Sequence, residues 1–290
     1  WIIVLLLPRE TSNSPQIQIP TQTQTQKPKE RLTRDLSSDE YKVMGLAPYG
    51  EPTYTAVILE HLIDLREDGS FRLDMDYFNY CHGLTMTSAA FDSLFGGPAR
   101  KPEFPFTQRD MDVARSIQAV TEEAMLRLAR HVRRRTGARR LCLAGGVALN
   151  CVANGAILRE GIFDDIWIQP AAGDAGGALG SALFAHYQVL NHTRTADGVS
   201  DAQSGSHFGP SFSPGDVERW LTEQGIPHHR CGSDGVIRTA ARLIAEGQVV
   251  GWFSGRAEFG PRALGARSIL GDAQCCIYLR VPCPPFCLGP

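Results

Sequence analysis

The chain has 290 residues, of which 43% are hydrophobic and 21% are charged, and its formal net charge at pH 7 is −2. This length and composition are typical of a globular protein with one large or two modest domains and a sizeable core. The near-balanced charge excludes a protein that binds nucleic acid or an anionic membrane through bulk positive charge.

The eight cysteines form neither a disulfide framework nor a zinc-binding pattern. Four of them, at positions 275, 276, 283 and 287, fall in the last sixteen residues, and the other four are scattered without a CxxC spacing. Regular spacings are what indicate disulfide-rich folds and zinc sites. We therefore predict reduced thiols in a cytoplasmic protein. The scattered cysteines are Cys81, Cys142, Cys151 and Cys231.

Residues 1–38 are predicted to be a disordered or artefactual segment. The chain begins at Trp1, not at a methionine, with the apolar run WIIVLLL. This run is too short to cross a membrane, and we predict a buried strand or an artefact of where the sequence begins. Residues 8–30 are rich in Pro, Thr and Gln. They cannot bury enough apolar surface to offset the entropy that ordering would cost.

Ordered structure is predicted to begin near Asp39. The segment EYKVMGLAPYG (40–50) contains two glycines and a proline, which predicts a turn-rich loop. Within it, Lys42 and Tyr49 either face a ligand or serve as a surface lysine and a packing tyrosine, and the residues favour neither interpretation. Residues 61–75 place alternating apolar side chains around a turn at 68–69, which predicts a β-hairpin.

The clearest helix is predicted between Thr107 and Arg135. Thr107 and Asp110 have the capping-box spacing, and apolar residues then recur at steps of three and four. Arginines crowd the last turn and Gly137 follows it. Cations suit the negative end of a helix and glycine suits the position after it. We therefore favour helix stabilisation and solvation over a nucleic-acid patch for this basic run.

Two glycine-rich turns form the first chemical feature. Predicted strands at 141–144 and 166–168 each lead into a turn, at 144–147 and at 172–177, and each turn opens a helix of small residues. A helix N-terminus offers free N–H groups and a partial positive charge, which suits phosphate. The pair of turns predicts a nucleotide site, with Asp174 as a metal-binding or hydrogen-bonding carboxylate.

A second chemical feature follows a predicted linker at 191–206. Helices are predicted at 213–221 and 237–246 and a strand at 249–253, followed by SGRAEFGPRALGARSIL (254–270). Its three arginines alternate with glycines, which favours binding of a planar oxyanion over a surface loop with locally paired arginines. Residues 271–290 have no periodic pattern, and we predict an aberrant tail from truncation or a wrong exon. A metal-binding tail is the less favoured alternative.

Five segments together resemble the O-carbamoyltransferases of the nodulation and antibiotic-tailoring type. They are EYKVMGLAPYG, DMDVARSIQAVTEE, LCLAGGVALNCVANG, IWIQPAAGDAGGALGSAL and GWFSGRAEFGPRALGARSIL. The resemblance covers residues 39–190 and 208–270. It implies an α/β protein: part of an actin/hexokinase-like (Kae1-like) nucleotide and metal domain at 39–190, then the truncated start of a YrdC-like domain at 207–270.

The resemblance also implies a reaction and its small-molecule partners. Carbamoyl phosphate and ATP give a carbamoyl-adenylate, and the carbamoyl group then passes to a hydroxyl of a small acceptor such as a sugar. The implied cofactor is a divalent metal, iron in the family. The implied nucleotide-binding residues are Gly145, Gly146, Asn150, Gly173, Gly176 and Gly177. The implied metal ligand is Asp174, and the implied carbamoyl phosphate or anion ligands are Lys42, Arg256, Arg262 and Arg267.

One departure from the family concerns the metal. The family's two histidine ligands have HxxxH spacing, which occurs nowhere among the eight histidines here. The resemblance thus implies an incomplete enzyme that begins after the first lobe and ends inside the second domain. An inactive nucleotide-binding fragment, a tRNA-threonylcarbamoylating enzyme and a sugar kinase of the same superfold stay open as alternatives. The acceptor, the general base and the oligomeric state are not indicated.

Overall fold

The chain forms a mixed α/β structure with two compact units. A computed structural model describes residues 2–6, 40–101, 104–195, 197 and 199–272. The first unit comprises Ile19–Ile168, and the second comprises Trp1–Gln18 together with Gln169–Pro290. The division falls after Ile168, upstream of the linker predicted at 191–206. The segment predicted to be disordered at 8–30 lies outside the described residues, as do residues 273–290 of the tail predicted to be aberrant at 271–290.

The first unit is built mainly of helices, with two small sheets. Its helices are α1 (Glu40–Leu46), α2 (Thr55–Val57), α3 (Ala89–Leu94), α4 (Gln108–Thr136) and α5 (Cys151–Arg159). Its strands are β2 (Ile63–Leu65), β3 (Phe71–Leu73), β4 (Arg140–Leu143) and β5 (Asp165–Ile168). Short 3-10 turns occupy Ala47–Tyr49, Met75–Tyr77 and Gly146–Leu149, and a π turn Ile58–Leu62 extends α2.

Helix α4 is the central element of the first unit. Its capping box is confirmed: the Thr107 side chain accepts from the backbone of Asp110, whose carboxylate accepts from the backbone of Thr107. Its end is also as expected, because Gly137 has a left-handed φ of 66°. Arg133 donates to the carbonyl oxygens of Gly137 and Ala138, at 2.6 Å each. The basic last turn therefore stabilises the helix end.

Two apolar clusters pack along α4. One is centred on Ile58, Leu62, Phe95 and Val120, and the other on Ala129, Ile157 and Phe163. Ile157 is only 1% exposed, so its burial contributes about 2–3 kcal/mol to the stability of the fold.

The prediction of a loop at 40–50 is wrong. These residues form α1 and a following 3-10 turn, both of which pack on α4. Pro48 lies within the first residues of that turn, where a missing N–H costs little. A Cβ at Gly50 would lie 2.0 Å from the carbonyl oxygen of Met111. Glycine and proline therefore allow close packing here, and they do not prevent a helix.

The predicted hairpin at 61–75 is confirmed. Strands β2 and β3 pair antiparallel with Ile63 opposite Leu73 and Leu65 opposite Phe71. Gly69 adopts a φ of +83° in the connecting turn, a conformation that glycine reaches without strain.

The second unit contains a three-stranded antiparallel sheet in the order β1-β6-β7. Its strands are β1 (Ile2–Leu6), β6 (Val250–Ser254) and β7 (Arg267–Leu270), and its helices are α6 (Asp174–Phe184), α7 (Pro214–Glu223) and α8 (Ser233–Ala245). A π turn Ala185–Val189 extends α6, and a 3-10 turn occupies Ser204–Ser206. The strand predicted in WIIVLLL is thus present, and α8 packs on β1 and β6. Among the described residues, no helix has the length and apolarity needed to span a membrane.

Candidate anion-binding site

The first glycine turn lies in the first unit, between β4 and α5. Strands β4 and β5 pair in parallel, with Leu141 opposite Ile166. Gly145 follows β4 with a φ of +99°, and Gly146 opens the 3-10 turn that leads to α5. A Cβ on either glycine would meet no described atom within 4 Å. The requirement for glycine at 145 is therefore conformational, and the turn lies beside open space.

The side chain of Asn150 has a structural role at this turn. Its Oδ1 accepts from the backbone N–H of Ala153 at 3.1 Å, which caps α5. Its amide also pairs in both directions with Gln118 on α4, at 3.2 and 2.9 Å. Gln118 is 3% exposed and donates further to Glu122 at 3.1 Å. The predicted nucleotide contact of Asn150 stays a prediction.

Gln118 was not among the predicted functional residues, although its position on the helix is a signal that it is buried. It is a polar residue on the helix whose apolar residues recur at steps of three and four, and the structure buries it. A buried amide needs hydrogen-bond partners. Its partner could not be identified from the sequence, because Asn150 is 32 residues away.

The second glycine turn lies in the second unit, at the start of α6. Gly173 is the N-cap residue of this helix, and Asp174 is its first residue. A Cβ at Gly176 would lie 1.9 Å from the carbonyl oxygen of Ala171, whereas one at Gly177 would meet no described atom within 4 Å. Gly176 is therefore needed so that the backbone of 171–173 can fold back onto the first turn of α6.

Asp174 is exposed and lies in the first turn of α6. A carboxylate there interacts favourably with the helix dipole, by about 0.3–1 kcal/mol. Among the described residues, no group of three or more His, Cys, Asp or Glu side chains is arranged to hold a metal ion. The described residues therefore do not fit a metal centre by themselves, and Asp174 as a metal ligand stays a prediction.

The predicted arginines lie on the segment that joins β6 to β7. We call residues 255–266 the arginine loop; Arg267 begins β7 directly after it. Its glycines at 255, 260 and 265 all have positive φ, at 71°, 130° and 108°. The Arg256 Nε donates to the carbonyl oxygen of Gly209 at 2.8 Å. The ends of the loop are joined by a bond from the Ser254 N–H to the Ala266 oxygen, at 2.8 Å.

Segment 206–210 supports the arginine loop from one side. The Gly209 N–H donates to the oxygen of Ala257 at 2.9 Å, and the Ala257 N–H donates to the oxygen of Pro210 at 3.0 Å. The Ser206 Oγ donates to the oxygen of Phe259 at 2.9 Å, and Ser206 is 1% exposed. The end of the predicted linker is thus part of the folded second unit.

Glu258 is the buried acidic residue of the arginine loop. One oxygen of its carboxylate accepts from the backbone N–H groups of Leu264 and Ala266, at 2.6 and 2.8 Å. The other lies 3.4 Å from the Nε of Arg267, and the Glu258 side chain is 0% exposed. Burial raises the pKa of this carboxyl, but backbone N–H donors, foremost those of Ala266 and Glu258 itself, outweigh burial and hold the pKa below its ordinary value.

The arginine loop and the second glycine turn are neighbours in the second unit. A Cβ at Gly260 would lie 3.2 Å from the Cα of Ala171 and 3.2 Å from the oxygen of Pro170. Arg267 donates to the oxygen of Gly260. The structure therefore brings together two of the elements that the sequence predicted to bind anions. The first glycine turn and Lys42 belong to the other unit.

Comparison with known proteins identifies the family. The family model described as Carbamoyltransferase N-terminus matches residues 30–183, which is more than half of the chain, and the one described as Carbamoyltransferase C-terminus matches residues 241–276. The chain belongs to the carbamoyltransferase family. The predicted resemblance is thereby confirmed. The second glycine turn falls in the N-terminal match and the arginine loop in the C-terminal match of this family.

Several longer proteins are similar in sequence to this chain. An uncharacterized protein of Synechocystis (sll1178) is 55% identical over 82% of this chain, which covers 39% of that protein. Nodulation protein NolNO of Sinorhizobium fredii is 42% identical over 81% of this chain, which covers 32% of it. Nodulation protein NolO of Bradyrhizobium diazoefficiens is 40% identical over 81% of this chain, and the match covers 40% of that protein. The chain thus spans between 32% and 40% of the length of these relatives.

Proposed function

We propose that this chain carries the anion-binding part of an O-carbamoyltransferase. In the proposed reaction a carbamoyl group moves from carbamoyl phosphate, through an ATP-derived carbamoyl-adenylate, to a hydroxyl of a small acceptor such as a sugar. The observation that supports this is the packing of the arginine loop against Pro170 and Ala171, directly before the second glycine turn, in a chain of the carbamoyltransferase family. We propose the cytoplasm as its location.

The chemistry of the two neighbouring elements suits a phosphorylated substrate. Arginine presents planar N–H donors that match a phosphate oxyanion in pairs, and its charge persists at any physiological pH. The start of α6 adds backbone N–H groups and a partial positive charge. Arg256, Arg262 and Arg267 all lie on or beside the loop that packs against the segment leading to this helix. We assign carbamoyl phosphate and its leaving phosphate to this part of the molecule.

The proposed reaction has three steps. Water cleaves carbamoyl phosphate to carbamate and phosphate, and a carbamate oxygen then displaces pyrophosphate from the α-phosphorus of ATP. The acceptor hydroxyl oxygen attacks the carbamoyl carbon, the bond from that carbon to the AMP oxygen breaks, AMP leaves, and the hydroxyl proton passes to solvent. The arginines would act by stabilising the negative charge that moves onto the leaving phosphate. No step is assigned to a metal ion, because Asp174 would need further ligands beside it.

We propose a domain assignment from the same resemblance. Residues 39–190 would be part of an actin/hexokinase-like domain, with the first glycine turn as a nucleotide-binding element, and residues 207–270 would begin a YrdC-like domain. Support comes from the parallel pair β4–β5, since each strand is followed along the chain by a glycine turn and a helix.

The reaction is tested by supplying both phosphorylated substrates and a panel of sugars. The release of phosphate, pyrophosphate and AMP by this chain and by the full-length Synechocystis relative is measured in parallel. Mass spectrometry determines whether the acceptors gain a carbamoyl group. The proposal predicts a carbamoylated acceptor and one AMP for each group transferred by the full-length relative. A sugar phosphorylated without carbamoyl phosphate would instead indicate a kinase. Salt-sensitive binding of tRNA would indicate a tRNA-modifying enzyme.

A further inference from the structure

We infer that Glu258 is a positioning residue of the anion site: its buried carboxylate holds the arginine loop closed and orients the guanidinium of Arg267. The inference rests on the proposed function, because it concerns how the arginines of that site are arranged. Glu258 is not assigned to contact the substrate, since its side chain is buried within the loop.

Glu258 joins two distant parts of the arginine loop to each other. Its one oxygen binds backbone N–H groups six and eight residues further along the chain, at Leu264 and Ala266. The loop between contains Gly260 and Gly265, and glycine-rich segments lose much conformational entropy when they are ordered. Because one carboxylate oxygen of Glu258 binds two N–H groups of the loop, it stabilises a single loop conformation over the many that the glycines would otherwise allow.

The charge of Glu258 also favours a positioning role. A buried carboxylate is costly unless it is paired. Its second oxygen has no hydrogen-bond partner among the described residues and lies 3.4 Å from the Nε of Arg267. Arg267 in turn donates to the oxygen of Gly260, which lies against Pro170 and Ala171, directly before the second glycine turn. The guanidinium is thus held from two sides, while 43% of the Arg267 side chain stays exposed.

The two possible roles of Glu258, as a nearby charge or as a positioning residue, predict opposite changes in anion affinity when the charge is removed. If Glu258 acted only as a negative charge near the arginines, its neutralisation would strengthen the binding of carbamoyl phosphate. If it orients Arg267, neutralisation weakens binding even though a repulsive charge is removed. Weaker binding after neutralisation of Glu258 therefore indicates positioning, and stronger binding indicates a simple charge effect.

Two substitutions separate positioning from structural support. In Glu258→Gln the amide oxygen still accepts from Leu264 and Ala266, but the ion pair with Arg267 is lost. In Glu258→Ala both contacts are lost. Glu246→Gln is the matched control, because Glu246 is an exposed partner of Arg242 on α8, outside the loop. Amide hydrogen exchange at Leu264 and Ala266 reports loop closure, and calorimetric titration with carbamoyl phosphate reports affinity.

The positioning role predicts that Glu258→Gln keeps both amides protected but binds carbamoyl phosphate about tenfold more weakly, as expected when a charge-assisted contact is lost. Glu258→Ala should lose protection and affinity together, and Glu246→Gln should change neither. Unchanged or tighter binding by Glu258→Gln, beside binding by the unaltered chain, would overturn the positioning role alone. Failure of the unaltered chain to bind carbamoyl phosphate would overturn the proposed function and the positioning role with it.

Discussion

The side-chain amides of Gln118 and Asn150 hydrogen-bond to each other in both directions, which ties the start of α5 to the middle of α4. Because Asn150 also caps α5 and closes the first glycine turn, the geometry of that turn depends on a buried residue of another helix. Gln118 is held in place by Glu122, which is paired in turn with Arg115 at 3.3 Å.

Replacement of Gln118 by leucine should destabilise the first unit. Leucine has a similar size but leaves the amide of Asn150 without its partner, so we expect a loss of about 1–2 kcal/mol in the free energy of unfolding. Urea denaturation followed by circular dichroism measures it. Gln108→Leu is the control, because Gln108 bonds Asp112 at the exposed start of the same helix. An equal effect of the two substitutions would show that the Gln118–Asn150 pair contributes nothing.

The glycines of α6 should respond differently to alanine. Gly176→Ala would place a Cβ 1.9 Å from the Ala171 oxygen, so we expect a loss of about 1–3 kcal/mol. Gly177→Ala meets no described atom within 4 Å and should be neutral or stabilise the helix by up to about 1 kcal/mol. Thermal denaturation of the two variants tests this. A stable Gly176→Ala variant would contradict the close approach of the 171–173 backbone.

Loss of the capping box should weaken α4. Thr107→Ala removes the hydroxyl that accepts from the Asp110 backbone, and we expect a cost of about 0.5–2 kcal/mol. Thr107→Ser keeps a capping hydroxyl and should stay close to the parent stability. Urea denaturation measures both variants. An equal loss of unfolding free energy in Thr107→Ala and Thr107→Ser would contradict the capping role.

The contribution of Glu258 to stability should depend on pH. Its pKa is held below the ordinary value in the folded chain. The contribution is therefore fully present above the unfolded pKa and is lost as the pH falls through the lower, folded pKa. The difference in unfolding free energy between the parent chain and Glu258→Gln should stay constant from neutral pH down to the unfolded pKa, and it should shrink as the solution is acidified further. A difference that is constant over the acid range would show that the carboxylate is not stabilised by its N–H donors.

Elements with local signals could be predicted from the sequence. Helix α4 begins and ends where its capping residues indicated, and the β2–β3 hairpin turns at the predicted glycine. In both cases the decisive contacts lie within a few residues of one another. The α/β character and the family followed from short segments whose residues are contiguous.

Features that require contacts between distant parts of the chain could not be predicted. Segment 40–50 contains local signals for a loop, but packing on α4 outweighs them and it is helical. The strand in WIIVLLL was expected, yet its partner β6 lies near the other end of the chain. Glu258 lies between the arginines in the sequence, but its burial could not be predicted, because it requires β6 and β7 to pair and close the loop around it.

The affinity of the chain for carbamoyl phosphate, compared between the parent and Arg256→Met, tests the central claim most directly. Arg256 lies on the arginine loop and is exposed, and Arg139→Met is the control because Arg139 is an exposed arginine of the first unit, paired with Asp164. Removal of one charge-assisted contact should weaken binding about tenfold in Arg256→Met and leave it unchanged in Arg139→Met. Equal affinities of all three proteins, measured by calorimetry, would contradict the assignment of the arginine loop as the anion-binding site.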